Sequence, residues 1–153
     1  TCRVIFPSIR VGEPDAKVSI VGKVNDADCA GNPTGSIEVL VQGGTPPYEL
    51  IWEYKGNIFV QNTSNLTNLA AGNYVLSVRD TNQCVETAAF EVKQPNPLSI
   101  DILRSNDGNR ASAEVRGGTP EYTYLWNTGD TTQTIQFATS GEYTVTVTDA
   151  RGC

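Results

Sequence analysis

The chain has 153 residues, with 11 Lys and Arg against 17 Asp and Glu and no His, so its formal net charge is -6. Binding to nucleic-acid phosphates or to anionic membrane relies on clustered cations, so this balance disfavours both partners. The absence of His removes the most common general base and metal ligand. No apolar run approaches the roughly 20 residues that a membrane helix needs. Composition therefore excludes most catalytic, nucleic-acid-binding and membrane-inserted classes.

Two long segments of the chain are repeated. Residues 43–52 (GGTPPYELIW) recur as residues 117–126 (GGTPEYTYLW), at an offset of 74 residues. Residues 72–84 match residues 141–153 at an offset of 69 residues. The difference of five residues is an insertion of the kind that a surface loop tolerates. Self-similarity of this kind indicates tandem repeats.

The period divides the chain into three predicted pieces. Residues 1–15 are predicted to be the last strand of a preceding repeat, because residues 9–14 line up with residues 90–95. Residues 16–95 are predicted to form one complete repeat. Residues 96–153 are predicted to form a second repeat that lacks its final strand.

Within each repeat the residue pattern is that of β-strands. Apolar and polar residues alternate, with Val and Thr enriched, at residues 36–41, 74–79, 111–115 and 143–148. Such alternation is typical of half-buried strands. No stretch shows a helical period, and Gly-, Pro- and Asn-rich turns separate the strands. The pattern predicts an all-β antiparallel sandwich.

Two pairs of aromatic residues favour an immunoglobulin-like sandwich. Trp52 and Trp126 lie in the third predicted strand of their repeats, where such sandwiches place a central core Trp. Tyr74 and Tyr143 follow a Gly at the start of the penultimate strand, the position of a corner tyrosine. We expect all four to be core residues of tandem immunoglobulin-like repeats.

The order of these signals resembles the SprB repeat of Bacteroidota gliding-motility adhesins and related large surface proteins. The resemblance depends on a Cys, the Gly35-Ser36-Ile37 segment, the two Gly-Gly-Thr-Pro segments, the Trp, and Gly-x-Tyr followed by Asp and Cys. It covers about 140 residues in two copies. The second copy departs from the pattern, because Ser105-Asn106-Asp107-Gly108 stands where the first copy has Asp28-Cys29-Ala30-Gly31.

The resemblance implies a structural and adhesive role. Proteins of this kind are long cell-surface filaments that are exported by the type IX system and used in gliding motility or surface attachment. Expected partners are neighbouring repeats of the same chain, together with surface polysaccharide or other adhesin chains. The resemblance implies an extracellular, outer-membrane-associated location and no cofactor. The alternative is a carbohydrate-binding module of a secreted protein, with Tyr54, Tyr122 and Tyr124 as candidate stacking residues.

The four Cys are disulfide candidates, since they lack the CxxC spacing of zinc sites. Cys2, Cys84 and Cys153 occupy equivalent positions after the penultimate strand, whereas Cys29 lies in the first loop. One possible pairing, Cys29 with Cys84, lies within a repeat.

The other possible pairing, Cys29 with Cys153, joins two repeats. In an immunoglobulin-like sandwich the first loop and the penultimate loop lie at opposite ends, about 26 Å apart for an eight-residue strand. The Cα atoms of a disulfide lie within about 7 Å. In a head-to-tail array the first loop of one repeat faces the penultimate loop of the next. This geometry favours the inter-repeat bridge, with Cys84 pairing to a preceding repeat.

Other candidate sites are weaker. Asp26, Asp28 and Asp107 could contribute oxygen ligands to calcium, although their spacing matches no calcium-binding loop and Asp is an ordinary turn residue. Thr131 lies in an Asp-Thr-Thr sequence that resembles the O-glycosylation sequon of Bacteroidota. No nucleophile elbow, phosphate loop or metal cluster is present, so we expect no enzyme activity.

Overall fold

The computed structural model describes residues 17–137 and 139–153. The strand predicted within residues 1–15, together with Cys2, lies outside the described residues. The described part contains no helix, and none of it could therefore cross a membrane as a helix. Its twelve strands are β1 (Ser19–Asn25), β2 (Gly35–Gln42), β3 (Glu49–Tyr54), β4 (Asn57–Gln61), β5 (Asn65–Leu69), β6 (Gly72–Arg79), β7 (Val85–Val92), β8 (Ser99–Arg104), β9 (Arg110–Arg116), β10 (Thr123–Trp126), β11 (Thr134–Gln136) and β12 (Val145–Thr148).

Strands β1–β7, which we call the first unit together with their loops, form two antiparallel sheets. One sheet has the order β1-β2-β5 and the other has the order β4-β3-β6-β7. Their inward-facing side chains make one continuous core. The prediction of an all-β, immunoglobulin-like antiparallel sandwich is confirmed.

Strands β8–β12, the second unit, form a smaller version of the same arrangement. Its sheets have the orders β8-β9-β11 and β10-β12, and no described strand of one unit pairs with a strand of the other. The core comprises Ala111, Ala113, Trp126 and Ile135. The small Ala side chains of β9 leave room between the two sheets for the ring of Trp126.

Each Trp is buried and donates the same hydrogen bond in both units. Trp52 has 0% of its surface exposed and Trp126 has 2%. The indole Nε1 of Trp52 donates to the Thr63 carbonyl oxygen at 2.9 Å, and that of Trp126 donates to the Thr132 carbonyl oxygen at 2.8 Å. The bond satisfies the one polar group that burying a Trp removes from water.

The corner tyrosines also repeat one hydrogen bond, although their burial differs. The Tyr74 hydroxyl donates to the Ala70 carbonyl oxygen at 2.8 Å, and the Tyr143 hydroxyl donates to the Thr139 carbonyl oxygen at 2.9 Å. Tyr74 is buried, and this burial raises the pKa of its hydroxyl. Tyr143 is half-buried.

The inner face of β1 contains an unusual pair of contacts. Gly22 lies beneath the ring of Phe90 from β7, and a Cβ at Gly22 would collide with that ring. The same ring lies 5.7 Å from the ring of Trp52. The repeat alignment places Ile102 of the second unit at the position of Gly22. The Gly in the first unit is therefore explained by the bulky Phe above it.

We predict that Gly22→Ile destabilises the first unit by about 1–3 kcal/mol, because it overpacks the space occupied by Phe90. Phe90→Ala removes the obstructing ring, so the cost of Gly22→Ile should be smaller in that background. Urea unfolding followed by Trp fluorescence measures this double-mutant cycle. Val21→Ile, at an exposed neighbouring position, is the control. Strictly additive costs would contradict the proposed contact.

Candidate functional site

The two units meet at a short linker that packs closely against the second unit. The Asn96 carbonyl oxygen accepts a hydrogen bond from the Gly118 N–H at 2.8 Å. A Cβ at Gly117 would collide with the Pro97 carbonyl oxygen, and Gly117 has a φ of 72°. Only Gly meets both requirements without strain. The Gly-Gly turn of the second unit is thus the surface against which the linker packs.

The loop between β1 and β2 is held against the end of β7. The Ala27 N–H donates to the Lys93 carbonyl oxygen at 2.8 Å, and the Lys93 N–H donates to the Asp26 carboxylate at 2.8 Å. The Gly31 N–H donates to the Gln94 side-chain oxygen at 2.9 Å. These bonds fix the loop at the end of the first unit where the linker begins.

Arg151 of the second unit reaches this loop. Its guanidinium lies 3.5 Å from the Asp28 carboxylate and donates to the Ala27 carbonyl oxygen at 3.4 Å. Both charged side chains are about half exposed, so the ion pair is worth about 0–1 kcal/mol. The ion pair instead helps to orient the second unit on the first, because the planar guanidinium contacts two groups of one loop at the same time.

A disulfide between Cys29 and Cys153 joins the two units in the structure. Their Cα atoms are 5.6 Å apart, and the two residues are 124 positions apart in sequence. Cys84 is exposed and is not bonded to any described Cys. Of the two pairings left open by the sequence, the structure contains the inter-repeat one. We call the linker, the β1–β2 loop, Arg151 and this bridge the junction.

The position of Cys153 is set by a buried carboxylate. The Asp149 side chain accepts hydrogen bonds from the N–H groups of Arg151 and Cys153, both at 2.9 Å. Its other oxygen accepts from the Thr119 N–H at 2.7 Å. One side chain therefore joins the Cys-bearing turn to the Gly-Gly-Thr turn. We call this arrangement the carboxylate clamp.

The first unit contains the same clamp. The Asp80 carboxylate accepts from the Cys84 N–H at 2.8 Å and from the Thr45 N–H at 3.0 Å. Gly44 has a φ of 64°, and a Cβ there would lie 3.0 Å from the Asp80 oxygen. Both carboxylates thus cap the turn that follows them. The bonds to Thr45 and Thr119 were not foreseen, although the paired recurrence of Gly-Gly-Thr and Asp in both copies was a signal for them.

Backbone donors hold the pKa of both clamp carboxyls below the ordinary value. For Asp80 the largest cause is the Thr45 N–H, followed by an opposing effect of burial and then by the Cys84 N–H. For Asp149 the pKa is lowered most by the Cys153 N–H and next by the Thr119 N–H. The ionised form is favoured because backbone N–H groups donate hydrogen bonds to each carboxylate and stabilise its negative charge.

The calcium candidates do not gather at one place. Asp26 and Asp28 are at the junction, where they contact a backbone N–H and Arg151. Asp107 is in the turn between β8 and β9, where it accepts bonds from Ser105 and from the Asn109 N–H, which lower its pKa. Within residues 17–137 and 139–153, no group of three or more His, Cys, Asp or Glu side chains could hold a metal ion.

The remaining candidates occupy ordinary surface or core positions. Thr131 is exposed in the loop between β10 and β11, and its glycosylation stays a prediction. Tyr54, Tyr122 and Tyr124 are each half-buried. Tyr54 stacks on Tyr74 at 4.6 Å, and the Tyr122 hydroxyl donates to a backbone carbonyl at 2.7 Å. These rings support the fold, so they do not form an exposed stacking platform.

A groove of about 610 Å³ opens between the sheets of the second unit. Trp126, Phe137, Tyr143 and Ile102 are among its apolar lining residues, and Arg104 and Asn109 lie at its polar side. In the first unit the ring of Phe90 contacts the equivalent Trp. Sequence reasoning did not foresee this groove.

A family model of the SprB repeat matches residues 21–52 and residues 105–131. The first match runs from β1 to Trp52, and the second contains β9 and β10. Each contains one Gly-Gly-Thr turn, and the first also contains Cys29. The resemblance is confirmed, because two regions of the chain match the SprB repeat. No curated protein matches the chain.

SprB repeats are structural units, not catalytic ones, and they occur in cell-surface, adhesin-like proteins. The two matches suggest a repeat segment of a cell-surface, adhesin-like protein and, with it, an extracellular location. The geometry agrees with this class, because the repeated signature residues are those that bury the Trp, anchor the Tyr and form the clamp.

We predict that the stability of both units decreases as the pH falls below about 4, the ordinary pKa of Asp. A carboxyl with a lowered pKa in the folded state stabilises the protein fully above its unfolded-state pKa. That stabilisation is lost as the pH falls through the folded-state pKa. Asp80→Asn and Asp149→Asn should therefore lower stability at neutral pH and flatten its dependence on acid. Thermal unfolding between pH 2 and pH 7 measures both effects.

Asp101→Asn is the matched control, because Asp101 is an exposed carboxylate in a surface ion pair with Arg116. A change of acid dependence as large as that of Asp80→Asn in this control would show that the clamp is not its source.

Proposed function

We propose that the chain is a structural and adhesive segment of a long surface filament that serves gliding motility or surface attachment and is exported by the type IX system. The observation that carries the proposal is the junction, where a covalent bridge joins two consecutive SprB-type units. A filament made of linked sandwiches needs such connections, because each unit contacts mainly its neighbours. Surface polysaccharide and other adhesin chains are the proposed adhesion partners.

The junction restricts the rotation of one unit about the other. A linker alone is a single point of attachment, even when its prolines stiffen it. The Cys29–Cys153 bridge adds a second covalent attachment at a different place, and the Arg151 contact with Asp28 adds a third, weaker one. Two separated attachments leave only one axis of easy rotation, and the third opposes motion about that axis.

The disulfide also supports the proposed location. Disulfides persist in oxidising, extracellular surroundings and are rare in the reducing cytosol. In the chain-entropy description, closing a loop of 124 residues stabilises the folded state by about 5 kcal/mol. A protein exposed outside the cell gains this stabilisation without cellular reductants to remove it.

We propose that residues 96–153 are one SprB repeat whose sandwich is completed by one further strand. Among the described residues, β12 pairs only with β10, so its other edge is free. In the first unit the equivalent edge, that of β6, pairs with β7. The groove beside Trp126 lies where a side chain of such a strand would enter, as Phe90 does beside Trp52. Because Ile102 occupies the place of Gly22, that side chain should be smaller than Phe.

The first test concerns the orientation of the two units. Residual dipolar couplings of backbone amides should fit one alignment tensor for both units while the bridge is intact. After Cys29→Ser they should require two tensors, because the second covalent attachment is lost. Cys84→Ser is the control, because Cys84 occupies the position in the first unit that Cys153 occupies in the second. This variant should keep one tensor.

Non-reducing peptide mapping accompanies this measurement. Recovery of a Cys29–Cys84 peptide, or two independent tensors in the oxidised protein, would remove the basis for a stiff junction.

The second test concerns adhesion. Antibody fragments raised against the chain should label intact cells of the source organism and reduce their attachment to surfaces. Fragments preincubated with an excess of the purified chain are the control, and they should do neither. If labelling requires permeabilised cells, or if labelled cells attach and glide normally, the adhesive role is wrong.

A further inference from the structure

The disulfide at the junction encloses almost the whole described chain in one loop. Cys29 and Cys153 are 124 positions apart, so strands β2–β12 all lie between the two bonded residues. Of the described strands, only β1 lies outside the loop. A chain segment closed by a covalent bond cannot lengthen when tension is applied outside it.

The ends of β1 lie at opposite ends of the first unit. Val18, just before β1, contacts Gly44 and so lies beside the carboxylate clamp of that unit. Ala27, just after β1, contacts Lys93 at the junction. Tension that enters ahead of residue 17 therefore travels along β1 to the junction and reaches Cys29.

More than half of the segment that this tension crosses is already extended, because seven of residues 17–29 form β1. The seven residues of β1 span about 23 Å as a strand. Fully extended, residues 17–29 would reach about 45 Å. Extension of this segment can therefore add less than about 45 Å.

We propose that the Cys29–Cys153 bridge is a covalent bypass for tension, which passes from β1 through the bridge and leaves strands β2–β12 unstretched. The proposal rests on the proposed role of the chain as part of a filament, and it identifies how that filament resists force. Of the described strands only β1 then bears tension, whereas strands β2–β12 bear none. Their stability serves to keep the two Cys-bearing turns in place.

Without the bridge the same tension acts on the sandwiches themselves. It would enter at β1 and leave after β12, an edge strand of a two-stranded sheet among the described residues. Unfolding would then release the residues between Cys29 and Cys153, which are 124 positions apart and correspond to about 430 Å of extended chain.

Single-molecule force spectroscopy of the Cys2→Ser chain, with one handle at each end, tests the proposal. This substitution leaves Cys84 as the remaining Cys outside the bridge. In the oxidised protein we expect no extension step larger than about 45 Å, the full length of residues 17–29. After reduction of the same folded molecules, steps should appear that sum to about 430 Å more.

Cys29→Ser should behave as the reduced protein does, whereas Cys84→Ser should behave as the oxidised protein does. A hidden length of about 190 Å in the oxidised protein, the length between Cys29 and Cys84, would overturn the proposal. So would the full extension of oxidised molecules. The dipolar-coupling test is separate, because a bypass is compatible with units that rotate freely, and failure of either test leaves the other informative.

Discussion

In each unit, backbone N–H groups from two distant turns converge on one buried carboxylate. Asp80 and Asp149 join the Gly-Gly-Thr turn to the turn that bears a Cys. The ionised carboxylate satisfies donors that would otherwise be buried without partners, a costly state. The Gly residues follow from it, since only a residue without Cβ lets the turn approach the carboxylate so closely. The junction also depends on it, because the clamp places Cys153.

The clamp and the bridge connect stability with mechanics. A disulfide forms only if its Cα atoms come within a few ångströms of each other. That proximity requires an ordered Cys-bearing turn on one unit and an ordered β1–β2 loop on the other. The carboxylate supplies the first, and the bonds between the loop and Lys93 supply the second. Hydrogen bonds within one turn and one loop thus place the two Cys residues so that a disulfide can join the units.

Much of the fold could be predicted from local pattern. Alternation identified β2, β6, β9 and β12, because successive residues of a half-buried strand point to opposite faces of the sheet. The bond from Thr45 to Asp80 could not be predicted in this way, since the partners are 35 residues apart and meet only after two sheets have packed. The groove beside Trp126 was missed although the sequence predicts a second repeat without its final strand, because the pattern does not show which core side chains that strand would cover.

By itself, the sequence determined the all-β class, the repeat period, the core aromatic residues and the resemblance to SprB repeats. These properties are carried by residues near one another in the chain, or by two copies of one pattern. Only the tertiary structure decided which Cys bonds to Cys29, because both pairings are compatible with the spacing in sequence. The separation of 5.6 Å between the Cα atoms of Cys29 and Cys153 depends on how one whole unit packs against the other. No local or repeated sequence pattern encodes that arrangement.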